Sequence, residues 1–298
     1  MKKIFLHATY DCNAFCKHCA VPREKSHMDF EVFKQMIDSI PMEFLVIGGG
    51  EPLIHQNINE MLEYASKVTN VKIETNGELL TKYFLEKNKY NLFQMNVSID
   101  GVEETHNKIR GIKTFNHTTE MIKYARSLDI DVAIWSVIMK ENVDEVDDII
   151  KLTRNLSVDK LSFLYATPVG KCSLEMTLPF NEYQNIVKKV KQKETSNLQI
   201  RIAPYILPFD SKLDETDCLI NVDEILHVDP YGEIYPCVLL LGNEKYKLGS
   251  VQEGYKNIRV NSSDCLGLIE SLGKDTRSNY GIPVCPCRTI SSEWNFDE

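Results

Sequence analysis

Cys12, Cys16 and Cys19 set three thiols on one short stretch, close enough in the chain to meet at a single metal centre. Two chemistries fit such a triplet. A structural zinc needs a closed tetrahedral shell, for which His7 or His18 could supply a fourth ligand. A cubane iron–sulfur cluster normally takes four cysteines, so three leave one iron open to a ligand from outside the protein. The remaining cysteines stand at 172, 218, 237, 265, 285 and 287. Five of them crowd the last third of the chain, with Cys172 alone between the groups. An odd number of thiols with no secretory segment reads as metal ligation in a reducing cytoplasm rather than as disulfides. Two separate metal sites are expected.

Other residues with chemistry to offer follow short apolar runs. Gly48-Gly49-Gly50-Glu51-Pro52 joins close backbone approach with a carboxylate that favours a cationic ammonium. Thr75-Asn76-Gly77 and Ser98-Ile99-Asp100-Gly101 offer hydroxyl, amide and carboxylate groups, and Asp100 could equally cap the turn at Gly101. Arg110, in HNKIRG, carries a guanidinium fork suited to a carboxylate. Cys172 is either a buried thiol or, if it faces the site, a hydrogen-atom donor.

The elements that must position these groups alternate. Strand-like runs cover 4–9, 43–47, 71–75, 94–99, 131–138 and 159–165, and amphipathic segments cover 29–40, 57–68, 79–88, 115–128, 142–156 and 181–193. Asp29 is a plausible N-cap of the first helix. Six βα units imply a parallel sheet, either an open doubly wound one or an incomplete barrel, with functional loops at the carboxyl ends of the strands. The motifs do fall there. After about residue 200 the pattern shifts to short strands, and 224–240 reads as a hairpin turning at Pro230-Tyr231-Gly232. The expected domains are 1–200 and 201–298.

Composition narrows the partners. With 34 Lys+Arg against 43 Asp+Glu, the net charge is −9 and the pI about 5.4, which argues against nucleic acid. No run of about 18 apolar residues supports a membrane span. The start, MKKIFLHATYDC, is too short in apolar residues for a secretory signal.

Taken in order, these motifs resemble those of the radical S-adenosylmethionine (radical SAM) enzymes. The resemblance implies an α/β fold built on a partial (β/α)6 barrel of the TIM type. It implies that Cys12, Cys16 and Cys19 bind a [4Fe–4S] cluster whose open iron chelates S-adenosylmethionine. One electron would then cleave the cofactor to methionine and a 5′-deoxyadenosyl radical that abstracts hydrogen from substrate. Gly49, Gly50 and Glu51 would meet the cofactor's amino group, Thr75 and Asn76 its ribose or carboxylate, and Ser98 and Arg110 its methionyl carboxylate. His18 stands where the family usually has an aromatic residue.

The tail is similar to the family's SPASM domain or its shortened twitch form. That likeness implies a second, auxiliary [4Fe–4S] cluster on Cys218, Cys237, Cys285 and Cys287, with Cys265 as alternative ligand and zinc as the other metal this shell suits. LGSVQEGYKNIR, after the hairpin, also looks like that family. SPASM and twitch relatives mostly modify ribosomally made peptides or protein side chains, so the expected substrate is a peptide or protein side chain. A twitch-type dehydrogenase or decarboxylase acting on an aminocyclitol or sugar-derived molecule is the alternative. Many peptide-modifying relatives carry an N-terminal leader-binding domain of roughly 80 residues; with Cys12 so near the start, leader recognition would reside in a separate protein. Val238 after Cys237 argues against simple epimerisation. A flavodoxin or ferredoxin is the expected reductant. A non-enzymatic zinc or electron-transfer protein leaves GGGEP, TNG and the Ser98–Arg110 pairing without a purpose.

Two cubane clusters predict about eight irons per chain with matching acid-labile sulfide after anaerobic reconstitution, falling to about four when Cys12, Cys16 and Cys19 are all changed to Ala. Zinc without sulfide would overturn the radical chemistry.

Overall fold

Side-chain alternation along the strands sets the plan of the molecule. In β1 (Lys3–Thr9), Ile4, Leu6 and Ala8 are buried while Lys3 and Phe5 are half-buried; in β3 (Asn70–Thr75), Val71, Ile73 and Thr75 alternate in the same way with Lys72 and Glu74. Successive residues of a strand face opposite sides of the sheet, so one face of these strands is apolar and the other mixed. The apolar face packs on the helices. Ile4, Leu6, Leu45, Ile47, Val71, Ile73, Met95 and Val97 share one core cluster with Phe33 and Met36 of α1 (Phe30–Ser39), Met61 and Leu62 of α2 (Ile58–Ala65) and Leu85 of α3 (Lys82–Asn88).

The computed structural model describes residues 3–166, 170–202, 225–244 and 247–254. Their strands form one ten-stranded sheet in the order β10-β9-β8-β1-β2-β3-β4-β5-β6-β7. β2 (Phe44–Gly49), β4 (Gln94–Ser98), β5 (Val132–Ile138), β6 (Lys160–Tyr165) and β7 (Gln199–Ile202) continue the parallel run begun by β1 and β3. Sequential parallel strands need crossovers. α1, α2, α3, α5 (Phe115–Ser127), α6 (Val146–Asn155) and α7 (Phe180–Lys191) supply them. This α/β arrangement is consistent with a partial barrel. No helix among the described residues is long and apolar enough to cross a membrane.

Two features depart from the expected six βα units. A seventh parallel strand, β7, follows α7 and pairs with β6 from Lys160↔Gln199 to Phe163↔Ile202, so the boundary expected after residue 200 falls inside a strand. Four residues, QIRI, are too short a run to stand out by periodicity alone. The other is α4 (Glu103–Arg110), in a stretch to which the hydrophobic pattern assigns no element. It is polar nearly throughout, and only His106, Ile109 and Arg110 are buried. Gly111 ends it in the left-handed conformation at φ 67° and would carry a Cβ 2.8 Å from the Cβ of Phe15.

The hairpin lies where the pattern put it. β8 (Ile225–Val228) and β9 (Glu233–Tyr235) are antiparallel, and the Asp229 carboxylate accepts from the Tyr231 and Glu233 amides, both at 2.9 Å, to fix the turn. β8 also pairs in parallel with β1, from Lys3↔Ile225 to Leu6↔Val228, and β10 (Gly249–Ser250) closes that edge on β9. Of the cysteines assigned to an auxiliary cluster, only Cys237 is within the described residues; Cys218, Cys265, Cys285 and Cys287 lie outside them.

Asp29 caps α1 as expected, its carboxylate accepting from Glu31 N at 2.8 Å and Val32 N at 3.3 Å. Asp29→Ala should lower stability by about 1 kcal/mol, read as a lower urea midpoint, with Asp29→Asn recovering most of it.

Candidate active site

The cysteine loop leaves the end of β1 and runs to Met28 without regular secondary structure. It closes on itself where Met28 N donates to Ala8 O at 2.9 Å, Tyr10 N to Ser26 O at 3.3 Å and the Thr9 hydroxyl to Ser26 O at 2.5 Å. Inside the loop, Arg23 donates to the carbonyls of Cys12 and Ala14 at 2.9 Å and stacks its guanidinium 3.7 Å from the Phe15 ring centroid. The three thiols are half-exposed and none is in a disulfide.

Every neighbouring strand end reaches this loop. From β2, Gly50 N donates to Thr9 O at 2.8 Å and Glu51 N to Asp11 O at 2.9 Å. A Cβ on Gly49 or Gly50 would lie 2.2 Å from those same carbonyls, so both positions admit only glycine, and Gly49 also has φ 123°. From β3, Asn76 Nδ2 donates to Asn13 Oδ1 at 2.8 Å, and Asn13 in turn donates to Glu78 at 2.6 Å. From α4, the carbonyls of Arg110 and Ile109 accept from Phe15 N at 2.9 Å and Lys17 N at 3.0 Å. Beyond β6, Lys171 N donates to Cys19 O at 2.9 Å.

Glu51 is fully buried, and its partners belong to this chain. Oε1 accepts from the Thr75 hydroxyl at 2.8 Å and Leu53 N at 3.1 Å, and Oε2 accepts from Asn76 N at 2.8 Å. The carboxylate expected beside a ligand ammonium therefore ties the glycine turn to the TNG segment. Burial pushes its pKa up to about 7, against the three hydrogen bonds and the Arg110 charge.

Asp100 and Arg110 form the second tie. Arg110 Nε lies 2.6 Å from Asp100 Oδ2 as an ion pair off the angle of an aligned hydrogen bond, and Arg110 Nη1 reaches Cys16 Sγ at 3.6 Å. Both residues are buried. Asp100 Oδ1 accepts from Val137 N at 2.8 Å, and Asp100 O accepts from Asn142 Nδ2 at 2.8 Å. Burial alone would raise the Asp100 pKa, but the Arg110 guanidinium overrides it and holds the carboxyl below its ordinary value. His18 Nε2 stands 3.8 Å from Asp100 Oδ2, and burial lowers the His18 pKa to about 4, which makes it a neutral imidazole.

Ser98 ends β4 half-buried, and no hydrogen bond joins it to Arg110 among the described residues. Cys172 packs in a small apolar cluster with Ile109, Met139 and Ala166, and burial pushes its thiol up to about 11. These are the surroundings of a packed thiol.

The donor set fits a cluster with one open iron. Burial pushes Cys12 up to about 11, with the neighbouring Glu51, Cys16 and Cys19 adding to it, and Cys19 rises for the same first reason. Cys12 and Cys19 hold their protons unless a cation replaces them. No three His, Cys, Asp or Glu side chains among the described residues gather on one ion position, and a cubane asks for no such point because each thiolate binds a different iron.

Residues 6–153 match the model of the Radical SAM superfamily and belong to it. Its members are enzymes that carry out radical reactions with S-adenosylmethionine, and membership implies a [4Fe–4S] cluster and that cofactor. Among similar curated proteins, the antilisterial bacteriocin subtilosin biosynthesis protein AlbA of Bacillus subtilis is 27% identical over 85% of this chain and 59% of its own. The chain thus spans well under two thirds of that relative. A GTP 3′,8-cyclase of Clostridium perfringens is 27% identical over 77% of this chain and 78% of its own. Among solved structures, Streptococcus suis SuiB bound to precursor peptide SuiA aligns with a TM-score of 0.75 at 16% identity, covering 96% of this chain and 75% of that one. This last likeness is one of fold.

Because the folded-state pKa of Glu51 is raised from 4.5 to about 7, its contribution to stability is full below about pH 4.5 and is lost as pH rises through about 7. The urea midpoint of the apoprotein should therefore fall between about pH 5 and 8, and Glu51→Gln should flatten part of that fall. An unchanged slope in the variant would overturn this account of Glu51.

Proposed function

We propose that this protein is an anaerobic radical SAM enzyme that abstracts hydrogen from a peptide or protein side chain in the maturation of a ribosomally made peptide. The observation that carries the reading is the likeness to AlbA, which covers 85% of the chain and so extends far beyond the superfamily match at 6–153. When bound, the cluster and S-adenosylmethionine supply one-electron cleavage of the sulfonium and a carbon radical that takes hydrogen.

The chain's own residues do the holding. Cys12, Cys16 and Cys19 would hold the [4Fe–4S] cluster and leave a place on it for the cofactor. The Gly49–Gly50–Glu51 backbone, pinned to Thr9 and Asp11, receives the cofactor's ammonium. Ser98 offers an uncommitted hydroxyl and Arg110 the guanidinium edge left by Asp100, both toward the carboxylate. The Asp100 carboxylate keeps Arg110 from turning to solvent and sets its distance from Cys16. Thr75 and Asn76 act through Glu51 and Asn13, positioning the glycine turn and the cysteine loop. The substrate lies over the helix-free face of the sheet, below these loops. Cys218, Cys237, Cys285 and Cys287, with Cys265 as alternative, would hold a second [4Fe–4S] cluster, which would supply an electron acceptor for a net oxidation. A flavodoxin or ferredoxin delivers the first electron.

The second reading is a small-molecule dehydrogenase or decarboxylase, favoured by the equal identity to the GTP 3′,8-cyclase. Release of 5′-deoxyadenosine above the substrate-free background separates the two. Peptides encoded beside the gene should stimulate it, and nucleotides, sugars and aminocyclitols should not. Stimulation by a small molecule and by none of the peptides would overturn the peptide reading.

A further inference from the structure

The face of the sheet that carries no helices is unexpectedly polar where it is most enclosed. Register places His7 of β1, Gly48 of β2, Glu74 of β3 and Asn96 of β4 in one row across four strands, since His7 pairs with Gly48, Ile47 with Ile73, and Glu74 with Asn96. His227 of β8 joins them from the other side, stacked on Phe5 with centroids 5.0 Å apart and 6.1 Å from the His7 ring. His7, Asn96 and His227 are 7%, 4% and 8% exposed.

These side chains hold polar atoms that nothing among the described residues satisfies. His7 Nδ1, Glu74 Oε1, Asn96 Oδ1 and His227 Nδ1 are buried with no hydrogen-bond partner among the described residues. Buried polar atoms are nearly always paired, so four in one neighbourhood mark a place where a ligand or water completes them. Gly48 makes room for the row: a Cβ there would stand 3.1 Å from Glu74 Oε2. Asn96 hydrogen-bonds the Glu74 carboxylate and so turns its own oxygen outward from that contact.

Asn96 Oδ1 and an ionised Glu74 carboxylate only accept, and each imidazole Nδ1 accepts in its Nε2–H tautomer. Lys3 and Lys72, on the same face, act on the Glu74 charge through space and make their direct contacts elsewhere. Lys72 Nζ donates to Gln94 Oε1 at 2.9 Å and lies over the Phe44 and Phe93 rings, and Lys3 Nζ lies over Phe5. Glu74 makes no ion pair among the described residues. Across the same face, Trp135, Val137 and Leu164 are half-buried and form an apolar side, with Val137 paired to Leu164.

Resting on the reading that substrate lies over this face, we propose that Glu74, Asn96, His7 and His227 form the subsite for a primary ammonium at the end of an apolar stem packed on Trp135, Val137 and Leu164. An ammonium brings three donors and no acceptor, the complement of this row.

The test uses the full chain, anaerobically reconstituted with iron, sulfide and S-adenosylmethionine, and ligand-observed NMR with n-butylammonium and butyrate as probes. Butylammonium should bind and butyrate should bind at least roughly tenfold more weakly, with Glu74→Gln and Asn96→Leu each lowering amine affinity by about tenfold. Binding of S-adenosylmethionine by each variant reports that it is folded. Nα-acetyl-lysine methylamide binding better than leucinamide assigns the ammonium to a lysine side chain, and the reverse assigns it to a chain terminus. Butyrate binding as tightly as the amine, no binding of either, or unchanged amine affinity in both variants would overturn the proposal. Binding is read without turnover, so failure of peptide stimulation with amine binding intact would count against the peptide reading alone.

Discussion

The structure depends on one constraint: the long irregular loop that carries Cys12, Cys16 and Cys19 must have its backbone groups satisfied without secondary structure of its own. Peptide groups left unpaired in a half-buried loop cost free energy comparable to a lost hydrogen bond. The solution is to borrow partners from the ends of the surrounding strands and from α4. Carbonyls of Thr9 and Asp11 take the amides of Gly50 and Glu51, carbonyls of Ile109 and Arg110 take the amides of Lys17 and Phe15, and Asn76 holds Asn13. The loop geometry is therefore a property of the sheet and not of the loop.

That dependence explains residue choices that otherwise look unrelated. Gly49 and Gly50 have no side chain because the loop's carbonyls occupy the space a Cβ would need. Glu51 spends a buried carboxylate on three internal donors, joining two strand ends so that the glycine turn and the TNG segment cannot move independently. Arg110 is buried beside Cys16 only because Asp100 shares its pocket; a guanidinium isolated there would carry a large desolvation cost. Charge is thus buried at the site in compensated form. The polar row at His7, Glu74, Asn96 and His227 differs in holding four buried polar atoms without a hydrogen-bond partner among the described residues.

Much of this was legible in the chain. Val71 and Ile73 alternating with Lys72 and Glu74, or the run around Ile4 and Leu6, mark strands because half-buried strands repeat every second residue. Asp29 before Phe30 marks a helix start because its short carboxylate reaches the first free amides. The order of the cysteine triplet, GGGEP and TNG was enough to expect a radical SAM domain, and residues 6–153 belong to that superfamily. The helix α4 escaped because its buried positions are His106, Ile109 and Arg110, two of them polar side chains whose partners lie elsewhere in the chain. The ties from Thr75 and Asn76 to the Glu51 carboxylate were not legible, because nothing local to GGGEP announces partners on the next strand.

The sequence by itself determined the first six parallel strands and their six crossover helices, the Asp29 cap, the hairpin turn, and the thiol spacing that admits an iron–sulfur cluster. These depend on residues a few positions apart, whose periodicity and side-chain reach are set by backbone geometry. Only the tertiary structure decided which charges face one another: Asp100 with Arg110, Glu51 with Asn76, and Glu74 with Asn96. It also decided that the alternating polar residues of β1, β3 and β4 are enclosed and not solvated. The physical reason is that burial and pairing depend on the whole sheet, while the same polar alternation in an isolated strand would simply face water.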